Sequence, residues 1–182
     1  MSFCRTAMRI LLTAALLGTG VSTMALAADP AQPSAPIVKS FGTWNTSCQE
    51  QKIDGKTIKN CHAFVDVRIG EKKDRLLYLG IGYVPGKTDG SMFLLAITPL
   101  GTLLPVGIQF AVDDKELVKA GFAVCVPLGC QTDIALTPEQ IKTIRTGSLM
   151  GIEFRLAAQG PVKIPVKLDG AGKALDSLPK PK

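Results

Sequence analysis

The stretch CHAFVDVRI, Cys61–Ile69, decides the fold class, because its apolar and polar side chains alternate. One face of an extended chain carries every second residue, namely Cys61, Ala63, Val65, Val67 and Ile69. The other face carries His62, Phe64, Asp66 and Arg68. A period of two residues is typical of a β-strand with one face in the core. The stretch therefore predicts a strand that buries the Cys61 face.

The same alternation recurs along the chain, in PVGIQFAVDD at 105–114, LMGIEFRLA at 149–157 and PVKIPVKL at 161–168. In the first of these, the residues predicted to share the core face are Val106, Ile108, Phe110 and Val112. Two further runs, at 76–84 and 92–97, are apolar on both faces and predict central strands. Many short strands with turn-like separators predict a mainly β fold, an antiparallel β-sandwich.

One short helix is predicted at about 137–146. Thr137 is a helix-capping residue, Pro138 suits the first helical position, and Gln140 completes a capping box. Ile141 and Ile144 form its apolar stripe. A weaker pattern at about 171–178 predicts a second, C-terminal helix.

The N-terminus has the three parts of a secretory signal peptide. Arg5 and Arg9 precede an apolar run, and Ala25-Leu26-Ala27 gives a cleavage pattern. An uncleaved membrane anchor is the competing interpretation, but it needs a longer run of about 20 apolar residues. We therefore predict a signal peptide at 1–27 and an exported protein with no membrane span after cleavage. A flexible proline-rich tail at 28–38, a single β domain at 39–178 and a polar tail at 179–182 follow.

Charge and composition make a nucleic-acid partner a poor fit. The formal net charge of the whole chain is +6, and removal of Arg5 and Arg9 lowers it to +4. This charge is small, and aromatic residues make up only 5% of the chain, so stacking platforms for bases are not expected.

Four cysteines remain after the predicted cleavage, at Cys48, Cys61, Cys125 and Cys130. An even number in an exported protein predicts disulfides. Three pairings exist, and we favour the two sequence-local ones, Cys48–Cys61 and Cys125–Cys130. Closing these loops contributes about 3 and about 2 kcal/mol respectively. The stretch FAVCVPLGCQ, at 122–131, is then predicted to be a stapled hairpin tip.

Other uses of these cysteines fit less well. Zinc sites commonly have short spacings in both ligand pairs, whereas only the second pair, C-x4-C, meets this condition. A redox dithiol more often has the C-x-x-C spacing. The sequence predicts no metal site and no cofactor.

No catalytic residue is predicted either. His62, the only histidine, falls on the polar face of its strand and is interpreted as a surface histidine with its hydrogen bonds satisfied. No nucleophile elbow, zinc-binding helix or phosphate loop occurs. Lys163 and Lys167 share the polar face of another predicted strand. They form a candidate interaction face, although such charges more often face solvent.

Several motifs in a fixed order resemble one protein family. They are FGTWNTSC at 41–48, Cys61, TPLGTLLPVGIQFAVDD at 98–114 and GFAVCVPLGCQTDIAL at 121–136, followed by the short helix. This order is similar to that of the invasion-associated locus B family of exported alphaproteobacterial proteins. The most specific part is the run P-x-G-x-x-L-P-x-G at 99–107 with the later C-x4-C. The C-terminal GAGKALDSL, at 170–178, departs from the family ending, because Ala171 replaces an aromatic residue.

The resemblance implies a non-catalytic, β-rich protein of the periplasm or cell envelope. Family members in pathogens are linked to host-cell entry, but relatives in free-living bacteria show that invasion is not the general role. The leading hypothesis is an envelope or host protein partner, contacted through Lys163 and Lys167 or through the Cys125–Cys130 tip. The alternatives are a periplasmic small-ligand-binding β-sandwich with a pocket between its sheets, and an enzyme of unrecognised type.

Overall fold

The computed structural model describes residues 36–53 and 56–181. The predicted signal peptide at 1–27 and most of the predicted tail lie outside the described residues. The described chain forms two antiparallel β-sheets and two α-helices. The prediction of a mainly β, antiparallel sandwich is confirmed.

The larger sheet has seven strands, in the spatial order β1-β2-β3-β4-β5-β9-β8. Their bounds are β1 Ile37–Phe41, β2 Trp44–Ile53, β3 Lys56–Ile69, β4 Asp74–Tyr83, β5 Met92–Thr98, β8 Val124–Val126 and β9 Gly129–Leu136. The runs at 76–84 and 92–97, predicted to be central strands, correspond to β4, which ends one residue earlier at Tyr83, and β5, near the middle of this sheet.

The smaller sheet has four strands, in the order β11-β10-β6-β7. Their bounds are β6 Ile108–Val112, β7 Lys115–Ala120, β10 Leu149–Leu156 and β11 Gly160–Lys167. Pro161 and Pro165 both fall in β11, which is an edge strand. An edge strand tolerates proline where the missing N–H would face the open side of the sheet, because no neighbouring strand accepts a hydrogen bond there.

The core is formed by the facing surfaces of the two sheets. Leu79, Ile81 and Leu94 come from the larger sheet, Phe110 and Ile152 come from the smaller one, and all five are 0% exposed. Burying one such side chain contributes about 1.5–3 kcal/mol. The Nε1 of Trp44, in β2, also donates a hydrogen bond of 3.0 Å to the carbonyl of Lys167, in β11.

Two predicted core positions are wrong. Ile69 is 51% exposed, because a register shift between Val67 and Arg68 ends the alternation before it. Val106 is 61% exposed, because Leu104–Val106 forms a turn of 3₁₀ helix and the strand begins only at Ile108.

Both predicted helices are present. Helix α1 spans Pro138–Thr146, and its capping box is formed by Thr137 and Gln140. Helix α2 spans Ala171–Asp176. Arg145 of α1 forms an ion pair with Asp176 of α2. The buried residues Ala171, Ala174 and Leu175 place α2 against the part of the larger sheet formed by β1, β2 and β3. Neither helix in the described ranges is long and apolar enough to cross a membrane.

Candidate functional site

The structure contains the two sequence-local disulfides. Cys48 and Cys61 are directly opposite each other in β2 and β3, with their Cα atoms 4.1 Å apart. Cys125 and Cys130 are likewise opposite in β8 and β9, with a Cα separation of 4.0 Å. Since all four sulfurs are oxidised in pairs, none is a thiolate that could ligate a metal or attack a substrate.

The Cys125–Cys130 disulfide closes a tight hairpin. Val126 pairs with Gly129, so only Pro127 and Leu128 lie in the loop. Gly129 has a φ of +136°, and a Cβ there would lie 2.2 Å from the carbonyl oxygen of Thr98. This close approach packs the base of the hairpin against the end of β5 and leaves the tip outside. The tip is apolar and exposed, since Val124 is 47%, Val126 37% and Leu128 73% exposed.

A second apolar segment, the loop Pro99–Gly107, leaves the larger sheet beside this hairpin. The hydroxyl of Thr98 donates a hydrogen bond of 3.3 Å to the carbonyl of Cys130, and the hydroxyl of Thr102 donates one of 2.8 Å to the carbonyl of Pro99. The two hydroxyl oxygens are 2.9 Å apart, in buried positions. These contacts tie the loop to the disulfide hairpin.

Backbone hydrogen bonds fix the other side of the loop. The N–H of Leu103 donates to the carbonyl of Arg155 at 2.8 Å, and the N–H of Ala157 donates to the carbonyl of Gly101 at 2.9 Å. The loop is therefore anchored to both sheets. Its apolar side chains remain outside, with Leu100 59%, Leu104 44% and Val106 61% exposed.

We call the loop Pro99–Gly107 and the hairpin Val124–Gly129 together the apolar end. They hold seven of the eleven large hydrophobic side chains that are exposed in the described residues. Those seven are Leu100, Leu103, Leu104, Val106, Val124, Val126 and Leu128. Neither segment contains a charged residue. Clustered apolar exposure of this kind marks an interaction site, whereas scattered single side chains do not.

The two segments of the apolar end are already held in place, so they would lose little conformational freedom on contact with a partner. They are held by a disulfide, two buried threonines and anchored backbone. A partner therefore loses less binding free energy to loop immobilisation than it would on a mobile loop. The chemistry available is burial of aliphatic surface, because the segments offer no charge.

Lys163 and Lys167 lie on the outer face of β11, as their alternation with Ile164 and Val166 requires. The Nζ of Lys163 lies 3.5 Å from a carboxylate oxygen of Glu153 in the neighbouring strand. Lys167 lies opposite Leu149. The exposed Lys163–Glu153 ion pair contributes little free energy to folding. The register places Lys119 in the same cross-strand row as Lys163, through Glu153 and Gln109. Lys163 and Lys167 stay a hypothesis as an interaction face.

His62 lies on the outer face of the larger sheet, where it is half-buried in an aromatic cluster. Its Nε2 is 2.6 Å from the hydroxyl oxygen of Tyr78 in β4, and the Phe64 ring stacks on the Tyr78 ring with centroids 5.5 Å apart. A Cβ on Gly80 would lie 3.4 Å from the Tyr78 ring and 3.6 Å from the His62 ring, at ordinary contact distance. Sequence reasoning missed the cluster, since its partners come from different strands and meet only through register.

Charged groups continue the cluster. The Arg75 guanidinium lies 5.2 Å from the centroid of the Tyr78 ring. Asp66 accepts hydrogen bonds from Arg75 at 2.9 Å and from Arg68 at 2.7 Å. Burial disfavours the charged form of Asp66, but these two arginines outweigh it and hold the carboxyl pKa below its ordinary value.

The shifted pKa values of His62 and Tyr78 both favour the neutral form of the ring. Burial lowers the pKa of His62, because its charged form loses hydration. Burial also raises the pKa of Tyr78 to about 12, against the opposing charge of Arg75. The hydrogen-bond partner of the His62 ring in the described chain is a tyrosine, not a carboxylate. The pair therefore lacks the orienting third group of a nucleophilic triad.

Comparisons with known proteins agree with the sequence motifs. The sequence model of the family described as "Invasion associated locus B (IalB) protein" matches residues 44–179. Among solved structures, the crystal structure of invasion associated protein B from Bartonella henselae matches with a TM-score of 0.64 and 21% identity. The alignment covers 77% of this chain and 92% of that one. At this identity the match establishes the fold alone. Comparison with curated proteins gives no match.

Proposed function

The chain belongs to the invasion-associated locus B family, and we propose that it is a non-catalytic protein of the periplasm or cell envelope that acts by binding another protein through its apolar end. The partner is an envelope or host protein that presents a matching apolar surface. Export is supported by the two disulfides and by the signal-peptide pattern at 1–27. A role in host-cell entry is suggested only by the family name.

One observation carries this proposal, the concentration of exposed aliphatic side chains on two rigid, uncharged segments. A side chain such as Leu128, 73% exposed at the tip of a cross-linked hairpin, contributes nothing to the core. Its hydration costs free energy that binding would recover. Interfaces place such side chains at their centre and surround them with polar groups.

The test is crosslinking in intact cells that produce the full chain, followed by mass spectrometry of the proteins recovered with it. We expect one dominant envelope or host protein. A double variant, Val106→Asp with Leu128→Asp, should abolish its recovery, because each aspartate would be buried without a partner charge. Val38→Asp is the matched control, since Val38 is also exposed, at 53%, but lies in β1 outside the apolar end.

The outcomes separate the alternatives. Recovery that survives the double variant, or is lost equally with the Val38 control, would contradict docking through the apolar end. If recovery is unchanged in the double aspartate variant but is lost in a Lys163→Gln, Lys167→Gln variant, the partner binds the outer face of β11 instead. Recovery of the chain alone would contradict a protein partner and would leave self-association or a small ligand as the alternatives.

The small-ligand alternative finds little support between the sheets. In the described structure, the facing side chains of the two sheets form one packed cluster, in which Leu79, Phe110 and Ile152 are fully buried. A ligand pocket there would require these side chains to move apart.

A further inference from the structure

A groove lies at the other end of the larger sheet. Ile97 lies next to the apolar end and pairs with Tyr78. Tyr83 pairs with Met92, at the other end of β5. Tyr83 therefore lies at the end of β4 that is far from the apolar end. One depression of about 540 Å³ lies beside Tyr83, and a smaller one of about 260 Å³ lies beside β1. Both are lined by Lys59 and Pro179. We refer to these two depressions, both of which are lined by parts of the C-terminal segment 177–181, together as the lysine groove.

Among the described residues, the groove is lined by cations and by no carboxylate. Lys59, Lys87 and Lys180 line the larger depression, and Lys39 and Lys59 line the smaller one. The two depressions on the smaller sheet differ, because Glu153 lines both of them and Asp113 lines one. The absence of carboxylates is therefore particular to the groove among these four depressions.

Neutral hydrogen-bond donors accompany the lysines. Thr57, Thr88, Tyr83 and Asn60 line the same depression. Lysine ammonium groups only donate, and hydroxyls and amides can donate as well. A site rich in donors and poor in negative acceptors suits a ligand with several anionic oxygens.

The lining also includes apolar groups. Cys61, which is bonded to Cys48, lines the groove together with Val84 and Pro179. The groove is thus amphipathic, with ammonium groups and apolar surface side by side. Such a lining accommodates both an anionic group and an attached apolar part.

Two carboxylates lie near the groove without lining it. Glu50 is directly opposite Lys59 in the β2–β3 ladder. Asp89 is close enough to Lys87 for that charge to help lower the Asp89 pKa, although its hydrogen bond from Ser91 is the larger cause. The four lysines that line the groove outnumber these two carboxylates among the described residues.

We propose that this groove binds a phosphate-bearing anion, with the phosphate between Lys59, Lys87 and Lys180. A phosphate group presents several charged oxygens, which three separate ammonium groups and the neighbouring hydroxyls can share. The site is independent of the apolar end and of the protein partner. The same chemistry occurs in free phosphates and in phospholipid headgroups, and the experiment distinguishes these sources.

The test uses the full mature chain and two variants of equal charge. The groove variant carries Lys59→Gln, Lys87→Gln and Lys180→Gln, and the control carries Lys119→Gln, Lys163→Gln and Lys167→Gln. Binding of inorganic pyrophosphate is measured by calorimetry. Binding to vesicles of phosphatidylglycerol, with phosphatidylcholine vesicles as the neutral reference, is measured by co-sedimentation. Thermal unfolding shows that both variants are folded.

We expect the groove variant to lose about tenfold or more in affinity, while the control stays within about twofold of the parent protein. Loss of pyrophosphate binding in the groove variant identifies a free phosphate as a sufficient ligand. Selective loss of phosphatidylglycerol binding without any pyrophosphate binding identifies the lipid headgroup. Equal losses in both variants would show only diffuse surface charge and would overturn the proposal, as would failure of the parent protein to bind either probe.

Discussion

His62 shows at the scale of one residue how burial changes a titration. Its ring contacts Phe64, which alternation places on the same face of the strand, and Tyr78, which comes from the neighbouring strand. The loss of hydration is the cause of its lowered pKa. The neighbouring Asp66 is held ionised by Arg75 and Arg68, so the two groups titrate in different pH ranges.

The stability of the protein should therefore depend on pH through His62. Because its pKa in the folded state lies below the unfolded value of 6.5, the unfolded chain binds the proton more readily. The contribution is fully present above that unfolded value and is lost as the pH falls through the folded pKa. The free energy of unfolding, measured with denaturant at several pH values, should fall less steeply between pH 7 and acid in a His62→Gln variant than in the parent protein. Identical slopes in the two proteins would contradict this assignment.

Gly170 allows a close backbone crossing. It has a φ of +84°, and a Cβ there would lie 1.7 Å from the carbonyl oxygen of Phe41. We expect Gly170→Ala to lower the free energy of unfolding by about 3 kcal/mol or more, because strain and a backbone clash act together. Gly160 is the control, since its φ is +79° but nothing lies within 4 Å of its Cβ position.

Denaturant unfolding of the two glycine variants checks this difference. Gly160→Ala should cost only the strain of the left-handed conformation, about 1 kcal/mol. Equal losses of unfolding free energy in the two variants would show that the close approach to Phe41 adds nothing to the cost of Gly170→Ala. This outcome would also weaken the link between the start of α2 and the β1–β2 turn.

At the scale of elements, the hairpin β8–β9 and the loop Pro99–Gly107 stabilise each other. The hairpin contributes the Cys125–Cys130 disulfide, and the loop contributes Thr102, whose hydroxyl lies beside that of Thr98. The edge strand β8 has only three residues, and a strand this short would pair weakly without the cross-link.

Removal of this disulfide should loosen the apolar end more than the fold. The double variant Cys125→Ser, Cys130→Ser should lose about 2 kcal/mol of unfolding free energy. Its amides in β8 should exchange hydrogen faster, and recovery of the protein partner should fall. The control is Cys48→Ser, Cys61→Ser, which should lose about 3 kcal/mol and leave exchange in β8 unchanged. Faster exchange in β8 of the control would show that the two disulfides are coupled.

At the scale of the whole molecule, the apolar end and the lysine groove lie at opposite ends of the larger sheet. One offers uncharged aliphatic surface, and the other offers ammonium groups. Salt screens exposed charges strongly, whereas it does not weaken the burial of apolar surface. The two sites should therefore respond to solution conditions in different ways.

Ionic strength should separate the two activities in one sample. Raising the sodium chloride concentration should weaken pyrophosphate binding and leave capture of the protein partner unchanged or stronger. Calorimetry and quantitative recovery of the partner, at matched salt concentrations, check this. Partner capture that falls with salt in parallel with pyrophosphate binding would assign both to charged surface.

The amino-acid pattern was enough to predict the strands β3, β4, β5, β6, β10 and β11, the capped helix and the hairpin at 122–131, since each depends on residues close together in the chain. Alternation in LMGIEFRLA places Met150, Ile152, Phe154 and Leu156 in the core, where the structure has them. The same reasoning failed at Ile69 and Val106, where a register shift and a 3₁₀ turn interrupt the period.

The pairing of distant segments could not be predicted from the sequence and follows from the folded structure. That structure joined the loop at 99–107 to the hairpin at 124–129, placed Tyr78 beside His62, and brought Lys59, Lys87 and Lys180 to one depression. The physical reason is that these contacts depend on strand order and register. Both are set by how the whole apolar surface is buried, and a local pattern of residues carries no information about which distant strand lies alongside.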